Sequence, residues 1–275
     1  MNQVNRDSAA SLAGEVLASL SSARQITPFS TRVDSFDVSA AYRVTAELRR
    51  LRCDQGERHV GRKIGFSNRM IWAEYGVFAP IWGDMYASTV HDIAAGTGAF
   101  ALAGFLEPRI EPEIAFGLAT APQAGMDEAA LIGCIEWVSH GYEIVQSIFP
   151  EWRFAAADVI AAGGVHGALL LGPRRRIAPA EAADWLQRLA HFEMDLFCNG
   201  TLMDHGHAVN VLDGPVCALR HLVELLASDP HNPSLAAGEI VTTGTVTRAF
   251  PIASGERWST RVKGLPLPGL DVTFT

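Results

Sequence analysis

Two glutamates, Glu111 and Glu113, stand two residues apart in the segment PRIEPEIAF. In a β-strand, side chains two residues apart point to the same face, so this spacing presents two carboxylates together. Two like charges that close are unfavourable unless a cation lies between them, and Mg²⁺ and Mn²⁺ prefer oxygen ligands. The spacing therefore favours a divalent-metal site. A solvated strand face, or ion pairs with Arg109 or Arg153, remains the alternative.

A third carboxylate and a lysine strengthen this interpretation. Glu143 lies in the short apolar run GYEIV, where an isolated carboxylate is costly unless it is paired or ligates a metal. Lys63 lies in the glycine-flanked strand GRKIG, where burial or a neighbouring charge can tune its pKa for proton transfer. The alternatives are an edge-strand glutamate that faces water and a lysine that extends into solvent.

The histidines and Arg248 give weaker signals. His205 and His207 alternate in DHGH and could ligate a metal, but their place after a turn favours a polar loop or a substrate contact. His166 opens an apolar strand, which is typical of a hydrogen-bonded core histidine. Arg248 could meet a substrate carboxylate. No nucleophile elbow, cysteine–histidine signature or phosphate-binding glycine loop is present.

Composition excludes several classes of protein. The chain has 275 residues, 48% of them hydrophobic, and a formal net charge of −8, which argues against a nucleic-acid surface. No apolar run approaches the ~20 residues that span a bilayer, and the first twenty residues lack the pattern of a secretory signal. The four cysteines form no CxxC pair, so we expect a reducing, cytoplasmic setting.

The pattern of segments predicts an α+β protein. Residues 1–58 read as a small helical region, with a first helix through about Leu20 and a second capped by Asp37. Residues 59–275 read as one β-rich catalytic domain of short apolar runs, with Asn199–Gly200 as a hairpin turn. Helices are predicted over about 127–138, 179–189 and 215–226.

Several of these segments, taken together, resemble a known family. The stretches VGRKIGFSN, PIWGDM, PRIEPEIAF, YEIVQSIF, NGTLMDHGHAV and AGEIVTTGTVTRAFPIASGERW follow the order seen in the 2-hydroxypenta-2,4-dienoate hydratase and 4-oxalocrotonate decarboxylase family. That family is a branch of the fumarylacetoacetate hydrolase superfamily. The resemblance runs from about residue 59 to the C-terminus and is carried by the combination of motifs.

The resemblance implies a fumarylacetoacetate-hydrolase-like β-rich fold and a set of roles. Glu111, Glu113 and Glu143 would hold Mg²⁺ or Mn²⁺, and Lys63 would move protons beside a small 2-oxo or 2-hydroxydienoic acid. The metal would chelate the substrate carboxylate and its 2-oxygen and stabilise the developing enolate. The resemblance also implies a homo-oligomer. The residues expected to contact substrate are Arg109, Ser67, Asp158 and Gln146.

Two departures leave the reaction open. Gln146 stands where the family usually has aspartate after E-I-V, and Val159 stands where it has asparagine after A-D. The leading hypothesis is hydration of a 2-hydroxy-2,4-dienoate in the catabolism of aromatic or related rings. A 2-oxo-acid decarboxylase, an acylpyruvate C–C hydrolase and a non-catalytic partner of an active paralogue are the alternatives. The hydrolase lacks a clear His–Glu pair to activate water.

Overall fold

A computed structural model describes residues 6–69, 72–75, 77–93 and 95–275 of the chain. The helices of this described part are α1 (Arg6–Ser22), α2 (Val38–Asp54), α3 (Trp72–Tyr75), α4 (Glu128–Ile132), α5 (Ala156–Ala161), α6 (Ala182–His191) and α7 (Pro215–Ala227). The strands are β1 (His59–Gly65), β2 (Ile81–Tyr86), β3 (Val90–Asp92), β4 (Thr97–Phe100), β5 (Arg109–Leu118), β6 (Ile135–Val145), β7 (His166–Leu171), β8 (Arg175–Arg176), β9 (Glu193–Cys198), β10 (Thr201–His207), β11 (Ile240–Thr245), β12 (Phe250–Pro251), β13 (Arg257–Lys263) and β14 (Asp271–Phe274).

The described residues form two mixed sheets, and the larger one carries the predicted site. Its strand order is β2-β1-β11-β5-β6-β7-β3, with β12 and β8 added beside β5 and β6. The central strands β5 and β6 run antiparallel and are buried over most of their length. Because polar side chains inside such strands must be paired or bound, the fully buried carboxylates of Glu113 and Glu143 cannot be ordinary surface residues.

The larger sheet curls so that strands far apart in its order approach each other. Gly83 on β2 packs against the loop that precedes β7, and a Cβ atom placed on Gly83 would lie 2.1 Å from the carbonyl oxygen of Gly163. Only glycine permits so close an approach of two backbones. The curl turns the side chain of Lys63 on β1 towards β6, although β11 and β5 separate these strands.

The second sheet has the order β10-β9-β13-β14-β4. Asn199 and Gly200 join β9 to β10, and both have positive φ, at 50° and 81°. This is the backbone that a two-residue hairpin turn of the Asn-Gly type requires. The predicted hairpin is therefore confirmed, and β10 forms an edge of the sheet.

The helical predictions meet different outcomes. Asp37 caps α2 by accepting a hydrogen bond from the Ala40 amide, and the predicted C-terminal helix matches α7. The prediction over 127–138 is wrong beyond residue 132, because Gly133 ends α4 and Ile135 begins β6. Pairing with β5 buries this apolar segment within the sheet, which overrides its local helical pattern.

The N-terminal helices join the rest of the molecule through a shared apolar core. α1 and α2 pack on each other, and α2 packs against α5. Leu48 of α2 lies in the same buried cluster as Val159 and Val165, which flank the predicted site. The division at residue 58 stays a prediction. Within the described residues, no helix is long and apolar enough to cross a membrane.

Candidate functional site

The three predicted carboxylates meet on neighbouring strands. Glu111 and Glu113 lie on β5, and Glu143 lies on β6 directly opposite Glu111 in the antiparallel register. One oxygen from each carboxylate lies within 4.8 Å of the others. Glu113 and Glu143 are completely buried, and Glu111 is partly exposed. Three carboxylates in so small a volume repel one another unless cations compensate them.

Glu143 contacts two basic side chains. The Nζ atom of Lys63 lies 3.1 Å from Oε2 of Glu143, and Nδ1 of His166 lies 2.8 Å from its Oε1. The other ring nitrogen of His166 lies 2.9 Å from the hydroxyl of Thr89, so both ring nitrogens have partners. His166 is thus the hydrogen-bonded buried histidine that its context predicts, and it also orients Glu143.

Glu113 has one satisfied oxygen and one without a hydrogen-bond partner. Its Oε2 accepts a hydrogen bond of 2.9 Å from the amide of Gly244 on β11. Its Oε1 is buried with no hydrogen-bond partner among the described residues. A buried carboxylate oxygen without a partner is costly, and a bound cation would remove that cost. The donor set, three carboxylates with one oxygen each within 4.8 Å of the others, therefore fits a hard divalent ion.

Gly244 also explains the shape of the site. Its φ is +100°, and a Cβ atom there would lie 1.9 Å from Oγ of Ser67. A larger residue would therefore collide with Ser67 and displace the amide that holds Glu113. The segment VTTGTVT carries this glycine, but without the structure nothing in the sequence links it to the carboxylates.

Burial and mutual repulsion shift the pKa values of the carboxylates. Burial raises the pKa of Glu111 to about 7, with Glu143 adding to the shift and Lys63 opposing it. Burial, reinforced by Glu143, raises the pKa of Glu113 well above its usual range. The pKa of Glu143 is lowered, because Lys63 and His166 outweigh the effect of its burial.

Lys63 responds to the same charges. Burial alone would lower its pKa, but the carboxylates of Glu143, Glu111 and Glu113 together raise it. The lysine is therefore an ammonium group beside the carboxylates, and it is 2% exposed. This is the charge state of a proton donor, in a position that solvent hardly reaches.

A cavity of about 290 Å³ opens beside the carboxylates. Its polar wall includes Lys63, Glu111, Ser67 and Arg109, all of which were predicted site residues. Nε of Arg109 is buried with no hydrogen-bond partner among the described residues, and the guanidinium stacks 4.2 Å above the ring of Trp152. The remaining wall is largely apolar, with Phe66, Ile81, Trp152, Phe154, Val159 and Val165 among its residues.

Two predicted substrate contacts, Asp158 and Gln146, do not line this cavity. Asp158 is fully buried and accepts hydrogen bonds from the amides of Ser30 and Ala155 and from the hydroxyl of Ser30. Its carboxylate thus ties α5 to the N-terminal region. Gln146 accepts a hydrogen bond from the amide of Leu106, 3.2 Å away. Both side chains therefore accept hydrogen bonds from backbone amides and hold those segments in place.

Of the other weak candidates, Arg248 lies at the cavity, whereas His205 and His207 do not. Arg248 lines the cavity, where its guanidinium pairs with Asp204 at 3.2 Å and stacks over Phe250. His205 and His207 lie on the second sheet with Glu193, away from the cavity lining. Trp152 and Val159 were not predicted as wall residues. Val159 stands at a family departure, which was the only signal for its role.

Relatives of known function match most of the chain, although no family model matches it. A 2-hydroxyhexa-2,4-dienoate hydratase of Comamonas testosteroni is 28% identical over 247 residues, which cover 90% of each chain. A 4-oxalocrotonate decarboxylase of a Pseudomonas species is 27% identical over 227 residues, covering 80% of this chain and 82% of the relative. The similarity thus reaches beyond the short motifs.

The fold has a close counterpart among solved structures. The 4-oxalocrotonate decarboxylase from Pseudomonas putida G7, complexed with magnesium and adipate, superposes with a TM-score of 0.90 at 23% identity and covers 100% of both chains. The predicted fumarylacetoacetate-hydrolase-like fold is confirmed. The chain is therefore a relative of the 2-hydroxydienoate hydratases and 4-oxalocrotonate decarboxylases, as its motifs predict.

Proposed function

We propose that the protein is a metal-dependent lyase that adds water to a 2-hydroxy-2,4-dienoate and yields a 4-hydroxy-2-oxo acid. The observation that carries the proposal is the convergence of three carboxylates with Lys63 beside one cavity, whose wall includes Lys63 and Glu111. The relatives that are hydratases of such dienoates support the choice of reaction. Catabolism of aromatic or related ring compounds is the setting in which such dienoates arise.

Glu111, Glu113 and Glu143 hold Mg²⁺ or Mn²⁺ in this proposal. The partnerless oxygen of Glu113 supports it, as do the raised pKa values of Glu111 and Glu113. When bound, the ion supplies positive charge to the substrate's 1-carboxylate and 2-oxygen, which lowers the energy of negative charge that develops there. His166 fixes the orientation of Glu143 through its Nδ1 hydrogen bond.

In this proposal, Arg109 binds the substrate carboxylate and Lys63 transfers a proton to the substrate. Arg109 presents a guanidinium whose Nε is free to donate to a carboxylate, while stacking on Trp152 restrains its plane. Lys63, as an ammonium group, donates a proton to the terminal carbon of the dienol, and the resulting amine takes up the proton that the 2-hydroxyl loses. The product of this step is a conjugated 2-oxo acid, and water then adds at carbon 4.

The cavity wall favours the hydratase over the decarboxylase of a dicarboxylic acid. Beyond the polar end the lining is aromatic and aliphatic, with Phe66, Phe154 and Val159 on it. Such a surface suits a short apolar tail better than a second carboxylate, which loses its hydration there. Arg248 is the nearest counter-argument, but its guanidinium is already paired with Asp204. A 2-oxo-3-enedioate decarboxylase is accordingly the second candidate.

Product analysis separates these reactions. Freshly generated 2-hydroxypenta-2,4-dienoate and, separately, 4-oxalocrotonate are incubated with protein and Mg²⁺, and products are identified by NMR together with measurement of released CO₂. We expect 4-hydroxy-2-oxopentanoate from the first substrate and little CO₂ from the second. Release of CO₂ without hydration would replace the hydratase proposal with the decarboxylase, and turnover of neither would favour a non-catalytic role.

A further inference from the structure

A second group of potential metal ligands lies on the smaller sheet, on the β9–β10 hairpin. In the antiparallel register, His205 lies opposite Asp195 and His207 lies opposite Glu193. Because alternate residues of a strand share a face, these four side chains occupy one face of the hairpin as two cross-strand pairs. The hairpin is at the sheet edge, where β10 has a neighbour on one side among the described strands.

The distances within the group suit a single ion. Nε2 of His205 lies 3.7 Å from one carboxylate oxygen of Glu193, and Nδ1 of His207 lies 4.0 Å from the other. One ligand atom from each of the three residues lies within 4.8 Å of the others. Ligands of a tetrahedral zinc ion lie about 3.3 Å apart, given zinc–nitrogen distances of about 2.0–2.1 Å. Small side-chain rotations would close the difference.

Asp195 prepares one of the histidines for ligation. Its carboxylate accepts a hydrogen bond from Nδ1 of His205, which places the ring proton on Nδ1 and leaves the Nε2 lone pair facing Glu193. A carboxylate behind a histidine in this way is the usual support of a metal-bound imidazole. Lys263 holds Asp195 from its other side at 3.0 Å.

We propose that Glu193, His205 and His207 form a binding site for a divalent transition metal of the zinc type. The three side chains are between about a third and a half exposed, at 44%, 37% and 48%, so solvent water completes the coordination. The ion would link β9, through Glu193, to the edge strand β10, through His205 and His207. This site is independent of the proposed hydratase function and takes a different metal.

Ligand chemistry separates this proposed site from the carboxylate group on β5 and β6. Imidazole nitrogens favour zinc, copper and nickel, whereas the all-carboxylate group on β5 and β6 suits magnesium and manganese. Positive charge on the same face works against the ion, since Lys263 and Arg261 on β13 lie opposite Glu193 and Asp195. The competing arrangement is a metal-free cluster in which the ring of His205 lies between the carboxylates of Asp195 and Glu193.

Zinc titration calorimetry in saturating Mg²⁺ tests the proposal, on protein without a histidine tag. We expect one zinc equivalent in the wild type and at least tenfold weaker binding in His205→Ala and in His207→Ala. His231→Ala, an exposed histidine outside the group, is the matched control and should bind zinc as the wild type does. Asp195→Asn should weaken binding about 10- to 100-fold.

Two further readouts identify the ligands. The Cu²⁺ complex of the wild type should show nitrogen coupling in its electron paramagnetic resonance spectrum, and His205→Ala/His207→Ala should lose it. Tm without zinc shows whether each variant is folded. Equal zinc affinity in the wild type and the double variant would overturn the proposal, as would a wild type that binds no zinc.

Discussion

At the scale of single residues, burial and neighbouring charges together set the pKa values of the three carboxylates. Glu143 keeps a lowered pKa because Lys63 and His166 face it, and burial leaves Glu111 and Glu113 with raised pKa values. Protons therefore compete with any cation for the latter two side chains. Without a metal, the folded protein must either bind those protons or tolerate the repulsion between the carboxylates.

This competition predicts how stability depends on pH. The pKa of Glu111 is raised from 4.5 to about 7 on folding, so its stabilising effect is complete below 4.5 and is lost as pH rises through 7. Glu113 shifts in the same direction. Glu143 and Lys63 keep their charges across this window, because their shifts move them away from it.

We therefore expect Tm in EDTA to fall between about pH 5.5 and about pH 8, and added Mg²⁺ to raise Tm most at the higher pH. Thermal unfolding at the two pH values, with and without Mg²⁺, measures this. Glu111→Gln should flatten the EDTA curve, whereas Glu136→Gln, at the exposed end of β6, should leave it as in the wild type. An identical pH dependence with and without Mg²⁺ would contradict the account.

Substitution of Lys63 separates the effect on catalysis from the effect on metal binding. Lys63→Met removes the proton donor but none of the carboxylates, so kcat should fall about 10²- to 10⁴-fold while stabilisation by Mg²⁺ persists. Steady-state kinetics and Tm measure the two effects. Lys263, the only other lysine of the chain, gives the matched control Lys263→Met, which should keep its kcat. A Lys63→Met enzyme with normal kcat would remove Lys63 from the mechanism.

The sequence located the carboxylates and Lys63 because alternation along a strand and the cost of buried charge are both local arguments. The same reasoning does not reach Asp158, whose partner Ser30 is 128 residues away in the chain. Nor could it reveal that Gly244 donates its amide to Glu113, since β11 meets β5 only in the folded sheet. Contacts between distant segments set the roles of these residues.

At the scale of elements, the curl of the larger sheet brings Lys63 on β1 to Glu143 on β6. That curl depends on backbone contact between β2 and the loop before β7. Gly83→Ala would place a Cβ atom 2.1 Å from the Gly163 carbonyl oxygen, so the strand must shift. We expect a loss of about 1–3 kcal/mol in the free energy of unfolding, together with reduced kcat.

Denaturant unfolding and steady-state assays measure both effects of Gly83→Ala. Gly14→Ala is the matched control: a Cβ atom there meets nothing within 4 Å, and Gly14 lies inside α1. Alanine should raise helix stability at that position by up to about 1 kcal/mol. If Gly83→Ala were as stable and active as the wild type, the close approach would not govern the geometry of the site.

Element type could be predicted where local signals were strong. Asn199–Gly200 requires positive φ and forms the hairpin, and Asp37 caps α2. The segment after Asp127 carries an equally good helix start, and α4 does begin there. Helix α4 ends early, at Ile132, because the following residues pair with β5 as strand β6. A short stretch of sequence cannot reveal this pairing, since β5 and β6 are separate segments of the chain.

At the scale of the whole molecule, the N-terminal helices pack against residues that line the cavity. Leu48 on α2 shares a buried cluster with Val159 and Val165, which line the cavity. Leu48→Ala should cost about 2–5 kcal/mol of stability and raise KM, while the stabilisation by Mg²⁺ persists. Val38→Ala, at a position 49% exposed on the same helix, should change neither quantity.

Denaturant unfolding and KM measurements on these two variants test the supporting role. A Leu48→Ala protein that loses stability but keeps its KM would show that the helices support the fold without shaping the cavity. The predicted homo-oligomer and the cytoplasmic location stay predictions. Sedimentation analysis of the metal-loaded protein measures the first.

The most direct test of the central claim is a Mg²⁺ titration of EDTA-treated protein with 2-hydroxypenta-2,4-dienoate as substrate, followed by ultraviolet absorbance. We predict that activity is absent in EDTA, returns in proportion to bound Mg²⁺, and stays at least about 100-fold lower in Glu113→Gln. Glu136→Gln should recover as fully as the wild type. Full activity in EDTA, or normal recovery in Glu113→Gln, would contradict a metal-dependent hydratase site built on these carboxylates.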